Sequence, residues 1–236
     1  MVPLVSATLA AMVAPPPTQL SAALPSWVSR ESATAIVEPQ ARDALQSLKA
    51  VDLQLPLKVA TGPVRTTYLS TACKRSDLPP VVLIHGFDIS CLEYRRLMPL
   101  LESAGIEAYA PCVAGWGFTD TANMKSVGVE AKRAQLLAFH EDVLAGRPAL
   151  WVGASLGACI CLDAYKAKPA AFALFASLDP GFFTPPPPAV PAFVGRLLLQ
   201  NVLSSLSVRE SIAKQAYHIK EDQTEDGALV LRARSA

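Results

Sequence analysis

A chain of 236 residues has room for one domain with a substantial core and too little for two full enzyme domains joined by a linker. With 51% hydrophobic and 17% charged residues it falls outside the highly charged disordered class. Lys and Arg number 21 against 20 Asp and Glu, and a net charge of +1 supplies no basic field for sequence-independent nucleic-acid binding, so no nucleic-acid partner is expected.

The first thirty residues differ from the rest. They hold no Asp or Glu, a single Arg at Arg30, and many Ala, Ser and Pro. A secretory signal carries a positive stretch before its apolar run, which Met1 to Ala14 lacks. An acid-poor, Ser-rich leader fits an organellar transit peptide better, pointing to the chloroplast; a secretory signal or a disordered tail on a cytoplasmic protein are the alternatives. The expected division is a leader over 1–50, a core over 51–182, and a Pro-rich linker with further helices over 183–236. No apolar run reaches the ~18 to 20 residues that span a bilayer, so no transmembrane segment is expected. The five cysteines, Cys73, Cys91, Cys112, Cys159 and Cys161, contain no C-x-x-C pair and read as buried thiols rather than metal ligands or disulfides.

After a weakly helical stretch around Ala41 to Leu48, Asp52 to Val59 and Val64 to Ser70 alternate in polarity about the turn Thr61-Gly62-Pro63, which predicts a hairpin. Val81-Val82-Leu83-Ile84 is apolar on both faces, as a central parallel strand must be when helices cover both sides. Ser90 and Glu93 form a capping-box pattern that predicts a helix running to about Ser103, stopped by Gly105. Ile106 to Ala110 reads as a strand and Pro111 to Asp120 as a loop. Val129 to Leu144 reads as a helix with its inner face at Val129, Arg133, Leu136, Leu137, His140 and Val143. Strand Leu150 to Val152, helix Leu156 to Lys166 and strand Phe172 to Leu178 complete a β-α-β-α-β-α-β run. Right-handed crossovers then require a mostly parallel α/β sheet, doubly wound, with ligands at the carboxyl ends of its strands.

Gly153-Ala154-Ser155-Leu156-Gly157 falls between a strand and a helix at such an end. In a strand-to-helix elbow, a serine held in a strained conformation projects its hydroxyl above the sheet, and Gly153 and Gly157 leave room for the turn. Ser155 opens the helix, so the N–H of Leu156 is an orphan donor at a positive helix end, aimed where an oxyanion would develop. A plain turn with a capping serine is the bland alternative.

In order and spacing, the Val81 to Asp88 segment, Gly115-Trp116-Gly117-Phe118-Thr119-Asp120, Gly153 to Gly157 and Phe172 to Asp179 resemble the α/β-hydrolase fold family, and within it the plant and algal lipase or esterase-like proteins. The resemblance implies a second oxyanion donor at the N–H of Phe87 in the His85-Gly86-Phe87 turn, with His85 holding that loop rather than acting as base. It implies a serine nucleophile at Ser155 acting on small or lipid-like carboxylic esters, with no cofactor and no metal. Asp88 and Asp120 read as loop residues.

Such an enzyme needs an acid and a terminal histidine after the serine. The chain has only His85, His140 and His218. Asp179, at the end of the last strand, and His218 are the candidate acid and base, and His218 would have to leave a helical stretch to reach Ser155. The expectation is a chain that stops inside a helical cap with the late strands missing, leaving an uncovered sheet edge. A remnant that binds without catalysing is the second reading. A third makes the apolar Phe193 to Leu206 a peripheral membrane-surface or partner helix.

Overall fold

The computed structural model describes residues 38–75 and 77–178 without a break, together with 191–198 and isolated positions outside these spans. Six strands form one sheet: β1 Lys49–Leu53, β2 Val64–Ser70, β3 Val81–Ile84, β4 Ala108–Pro111, β5 Ala149–Ala154 and β6 Phe172–Leu178, in the order β1-β2-β4-β3-β5-β6. β1 and β2 pair antiparallel, and β2 lies antiparallel against β4. From β4 through β3 and β5 to β6 every pairing is parallel, as crossover helices demand. This is the mostly parallel α/β architecture with an N-terminal hairpin that the sequence predicts.

Helices cover both faces. On one, α1 Pro39–Gln46 and the 3-10 turn Cys91–Tyr94 bury Ala41, Leu45, Leu92 and Tyr94 against Leu69, Leu83 and Phe118. On the other, α3 Val129–Leu144 and α4 Leu156–Ala167 bury Leu136, Phe139, Ile160 and Cys161 against Val82, Ile84 and Trp151. Trp151 is wholly buried, stacks on Phe172 at 4.9 Å and donates its indole N–H to the Ala171 carbonyl at 2.9 Å, so its large apolar body is sequestered with its polar atom satisfied.

Several elements depart from expectation for identifiable reasons. The helix expected from Ser90 to Ser103 is split into the 3-10 turn and α2 Leu97–Ser103. Pro99 lacks an N–H and its ring crowds the carbonyl of Arg95, so one continuous helix cannot form there. Ser90 does cap the turn, but through the Leu92 N–H at 3.2 Å. The first hairpin strand ends at Leu53 rather than continuing to Val59, and β4 begins at Ala108 rather than Ile106. Cys73 and Cys159 are half-buried, unlike Cys91, Cys112 and Cys161, which are buried.

The inward face of α3 is the expected one at Leu136 and His140 but not at Val129. Val129 is exposed, and the buried residues are Ala131, Lys132, Gln135, Leu136, Phe139, His140 and Leu144. A search for apolar residues at helical spacing rejects Lys132 and Gln135, yet both point inward because they fasten a loop. β6 carries exposed Leu174 and Leu178. After β6 the described structure resumes at α5 Ala192–Leu198, within the segment expected to begin the cap; the rest of Phe193 to Leu206 lies mostly outside the described residues. No helix among the described residues is long and apolar enough to cross a membrane.

Candidate active site

Ser155 sits between the last residue of β5 and the first of α4 with φ 50° and ψ −118°, a left-handed conformation that costs a non-glycine residue of order 1 to 3 kcal/mol. Its own N–H donates to the Leu178 carbonyl at 2.9 Å, and its carbonyl accepts from Ala158 at 3.0 Å, so β6 on one side and the helix on the other fix the bend. The glycines around it are needed for closeness. A Cβ on Gly157 would lie 2.2 Å from the Ile84 carbonyl oxygen, and one on Gly153 would lie 2.5 Å from the Ala158 backbone. Helix α4 therefore rides directly on the carboxyl end of β3, and Ser155 is left exposed at the top of the sheet.

The turn after β3 meets this serine. Gly86 is buried, and a Cβ on it would stand 3.3 Å from Ser155 Cβ. Phe87 follows immediately with its ring exposed, and Asp88 has φ 57°. The N–H of Leu156, the first residue of α4, has no acceptor within its own helix and belongs to the positive end of the helix dipole. The turn after β3 and the first turn of α4 thus meet beside one exposed serine.

His85 is wholly buried. Its Nε2 accepts the Val113 N–H at 2.9 Å, so the proton resides on Nδ1, which donates to the Gly86 carbonyl at 2.9 Å. Both ring nitrogens hold the turn, and neither is left for a serine proton. His140 is equally buried on α3, with Nε2 on the Arg147 carbonyl at 2.9 Å. Asp120 accepts the Ala122 N–H at 2.9 Å in its loop. Asp179 and His218 lie outside the described residues.

The loop after β4 forms the next wall, and sequence reasoning missed what holds it. Gln135, wholly buried on α3, accepts the Ala114 N–H at 2.7 Å and donates to Thr66 Oγ1 and to the Cys112 carbonyl, both at 2.9 Å. One turn earlier, Lys132 donates to the Val127 carbonyl and places its ammonium 4.2 Å from the centre of the Trp116 ring. A cation held over an indole face is worth about 1 kcal/mol, more when desolvated. Trp116 meets Phe87 edge to face, with ring centres 5.3 Å apart. The signal in the sequence was the pair Lys132 and Gln135 at helical spacing beside Ala131, Leu136 and Phe139.

The opposite end of the sheet holds a contrasting cluster. Glu107, buried just before β4, accepts from Tyr109 at 2.7 Å, Arg147 at 2.7 Å and the Arg75 amide at 3.0 Å. Burial pushes its carboxyl up, but these hydrogen bonds outweigh burial and hold it at about 2.

A six-stranded, mostly parallel sheet with a strained strand-serine-helix elbow at its carboxyl edge defines an α/β-hydrolase-like protein. The profile of the alpha/beta hydrolase family matches residues 81–234, and the chain belongs to that family. It is 37% identical over 128 residues to the alpha/beta hydrolase domain-containing protein VTE7 of Arabidopsis thaliana, a match covering 54% of this chain and 38% of that one. Among solved structures it resembles a candidate lipase from Acinetobacter baumannii, with a TM-score of 0.58 at 21% identity, covering 82% of this chain and 64% of the other. It also resembles a meta-cleavage product hydrolase from Pseudomonas fluorescens, with a TM-score of 0.55 at 19% identity, covering 75% of this chain and 64% of the other. The chain thus spans less than two thirds of the length of each of these relatives.

Proposed function

We propose that the protein is a serine hydrolase of carboxylic esters with an apolar acyl part. The observation that carries this reading is the elbow: Ser155 at φ 50° between two glycines whose α-hydrogens face backbone atoms. A plain turn has no need of such strain, whereas a nucleophile that must stand clear of the sheet does. In this reading Ser155 Oγ attacks the ester carbonyl carbon. The N–H groups of Leu156 and Phe87 receive the oxyanion, each contributing a few kcal/mol to the transition state. The C–O bond to the alcohol then breaks, the alcohol takes a proton, and water hydrolyses the acyl-serine. Asp179 and His218 are the proposed acid and base, which orient and relay that proton. The exposed Phe87 and Leu178 beside the serine favour an apolar acyl group.

The test is hydrolysis of p-nitrophenyl esters. The chain is expected to turn them over, Ser155→Ala to abolish turnover, and His218→Ala to reduce it by about three orders of magnitude. Absence of turnover by well-folded protein would leave the second reading, a binding protein that keeps the pocket without the chemistry. That reading is favoured by one observation: both described histidines, His85 and His140, are committed to backbone partners. For the leader we propose chloroplast import, tested by whether residues 1–50 carry a fluorescent reporter into plastids.

A further inference from the structure

We propose that Lys132 is a positioning residue that sets the preference of the Ser155 site for long apolar acyl chains, by holding Trp116 against Phe87. The inference rests on the reading of Ser155 as the nucleophile. Lys132 is about 5% exposed, although lysine is among the residue types least often buried. Its ammonium is committed at two points. It donates to the Val127 carbonyl, and it lies 4.2 Å from the centre of the Trp116 ring. Val127 in turn packs over Gly115, where a Cβ would stand 2.9 Å from Val127 Cβ, so the loop returns on itself around the lysine.

Trp116 also meets Phe87, at 5.3 Å and 63°. Phe87 follows Gly86, whose added Cβ would stand 3.3 Å from that of Ser155. A continuous chain of contacts therefore runs from helix α3 through a cation and two rings to the mouth of the serine site. The two rings form an apolar ledge there, and a ledge discriminates between chains only if its rings keep one orientation. A lysine fixed at both carbonyl and ring restrains Trp116 in a way that an apolar side chain of the same length cannot.

The experiment compares labelling of the full chain by ethyl and decyl fluorophosphonates. The decyl probe is expected to label wild type about ten-fold faster, because part of its chain is buried on the ledge. In Lys132→Met that ratio is expected to fall to about one, with the ethyl rate within about two-fold of wild type; Lys132→Arg, which keeps cation and donor, is expected to restore the ratio. Trp116→Leu, which leaves the lysine in place, is expected to lose the ratio as well. It decides the matter if Lys132→Met does not fold. A folded Lys132→Met or Trp116→Leu that keeps the wild-type ratio overturns the proposal, as does a Lys132→Met that melts earlier and labels with unchanged preference. If neither probe labels wild type, the nucleophile reading fails on its own. The ledge is then judged by decanoate binding followed through tryptophan emission: binding weakened about ten-fold in Lys132→Met supports the proposal, and equal binding overturns it.

Discussion

The two ends of the central sheet are built on opposite terms. At the amino ends of the parallel strands, Tyr109, Arg147 and the Arg75 amide close around the buried Glu107 carboxylate and meet it from three directions. At the carboxyl ends, Asp88 and Ser155 hold positive φ angles, and Phe87 and Leu178, each 54% exposed, offer apolar surface to solvent. One end satisfies its polar groups and stabilises the fold; the other keeps strain and uncovered surface. Stability left unused at one edge of a fold is what a reactive site requires, because a group placed for a transition state is seldom at its own minimum.

Five substitutions test this contrast. The largest effect is expected at the carboxyl end, where the first turn of α4 rides on the last residue of β3. Gly157→Ala places a Cβ 2.2 Å from the Ile84 carbonyl oxygen, and either the helix or the strand must move. It should cost about 4 kcal/mol in a denaturant melt, although Gly to Ala within a helix ordinarily stabilises. At the amino end, Arg147→Met strips a buried carboxylate of its nearer cation, leaving the Lys74 ammonium at 3.5 Å, and should cost about 3 kcal/mol at neutral pH.

The same network predicts an acid response. The carboxyl of Glu107 is held at about 2 in the folded chain, below its unfolded value near 4.5, so its contribution is complete above the unfolded value and is lost as pH falls toward 2. After allowance for solvent screening by the partly exposed Arg147, about 2 kcal/mol of stability should disappear over that window. Glu107→Gln should flatten the pH profile there. An equal slope in the variant would assign the acid loss to other carboxylates.

Also at the carboxyl end, Gln135→Leu leaves the Ala114 N–H buried without its acceptor and should cost about 2 kcal/mol in thermal unfolding. The smallest effect carries the opposite sign. Ser155→Gly relieves the left-handed backbone and should raise stability by about 1 kcal/mol while removing the hydroxyl. A destabilised Ser155→Gly would show that the carboxyl end holds no strain at that position.

Much of the sheet was legible because its signals are local. Val81 to Ile84 and Phe172 to Leu178 are strands where their patterns put them, and the strand-serine-helix elbow is announced by two glycines whose spacing has a steric cause. Where several signals compete the reading failed. Ser90 and Glu93 argued for one long helix, while Pro99, which splits it, acts on a carbonyl four residues earlier. The inner face of α3 was misread because hydrophobic periodicity counts Lys132 and Gln135 as outward, and only their partners, Trp116, Val127, Ala114 and Cys112, explain why they turn in. Those partners are distant in sequence from the residues they fix. The roles proposed for Ser155, Phe87 and Leu156 rest on a local strand-turn-helix pattern that a sequence can carry, whereas the identity of the acid and base depends on long-range approach that no local pattern encodes.

Activation of the strained serine at the carboxyl end, as proposed, is tested by exposing the folded chain to a fluorophosphonate probe and locating the adduct by peptide mass spectrometry. A single phosphonylated peptide carrying Ser155 is expected, formed at a rate well above that of free serine and absent after denaturation or in Ser155→Ala. A cooperatively folded chain that stays unmodified, or an adduct at any other serine, would contradict it.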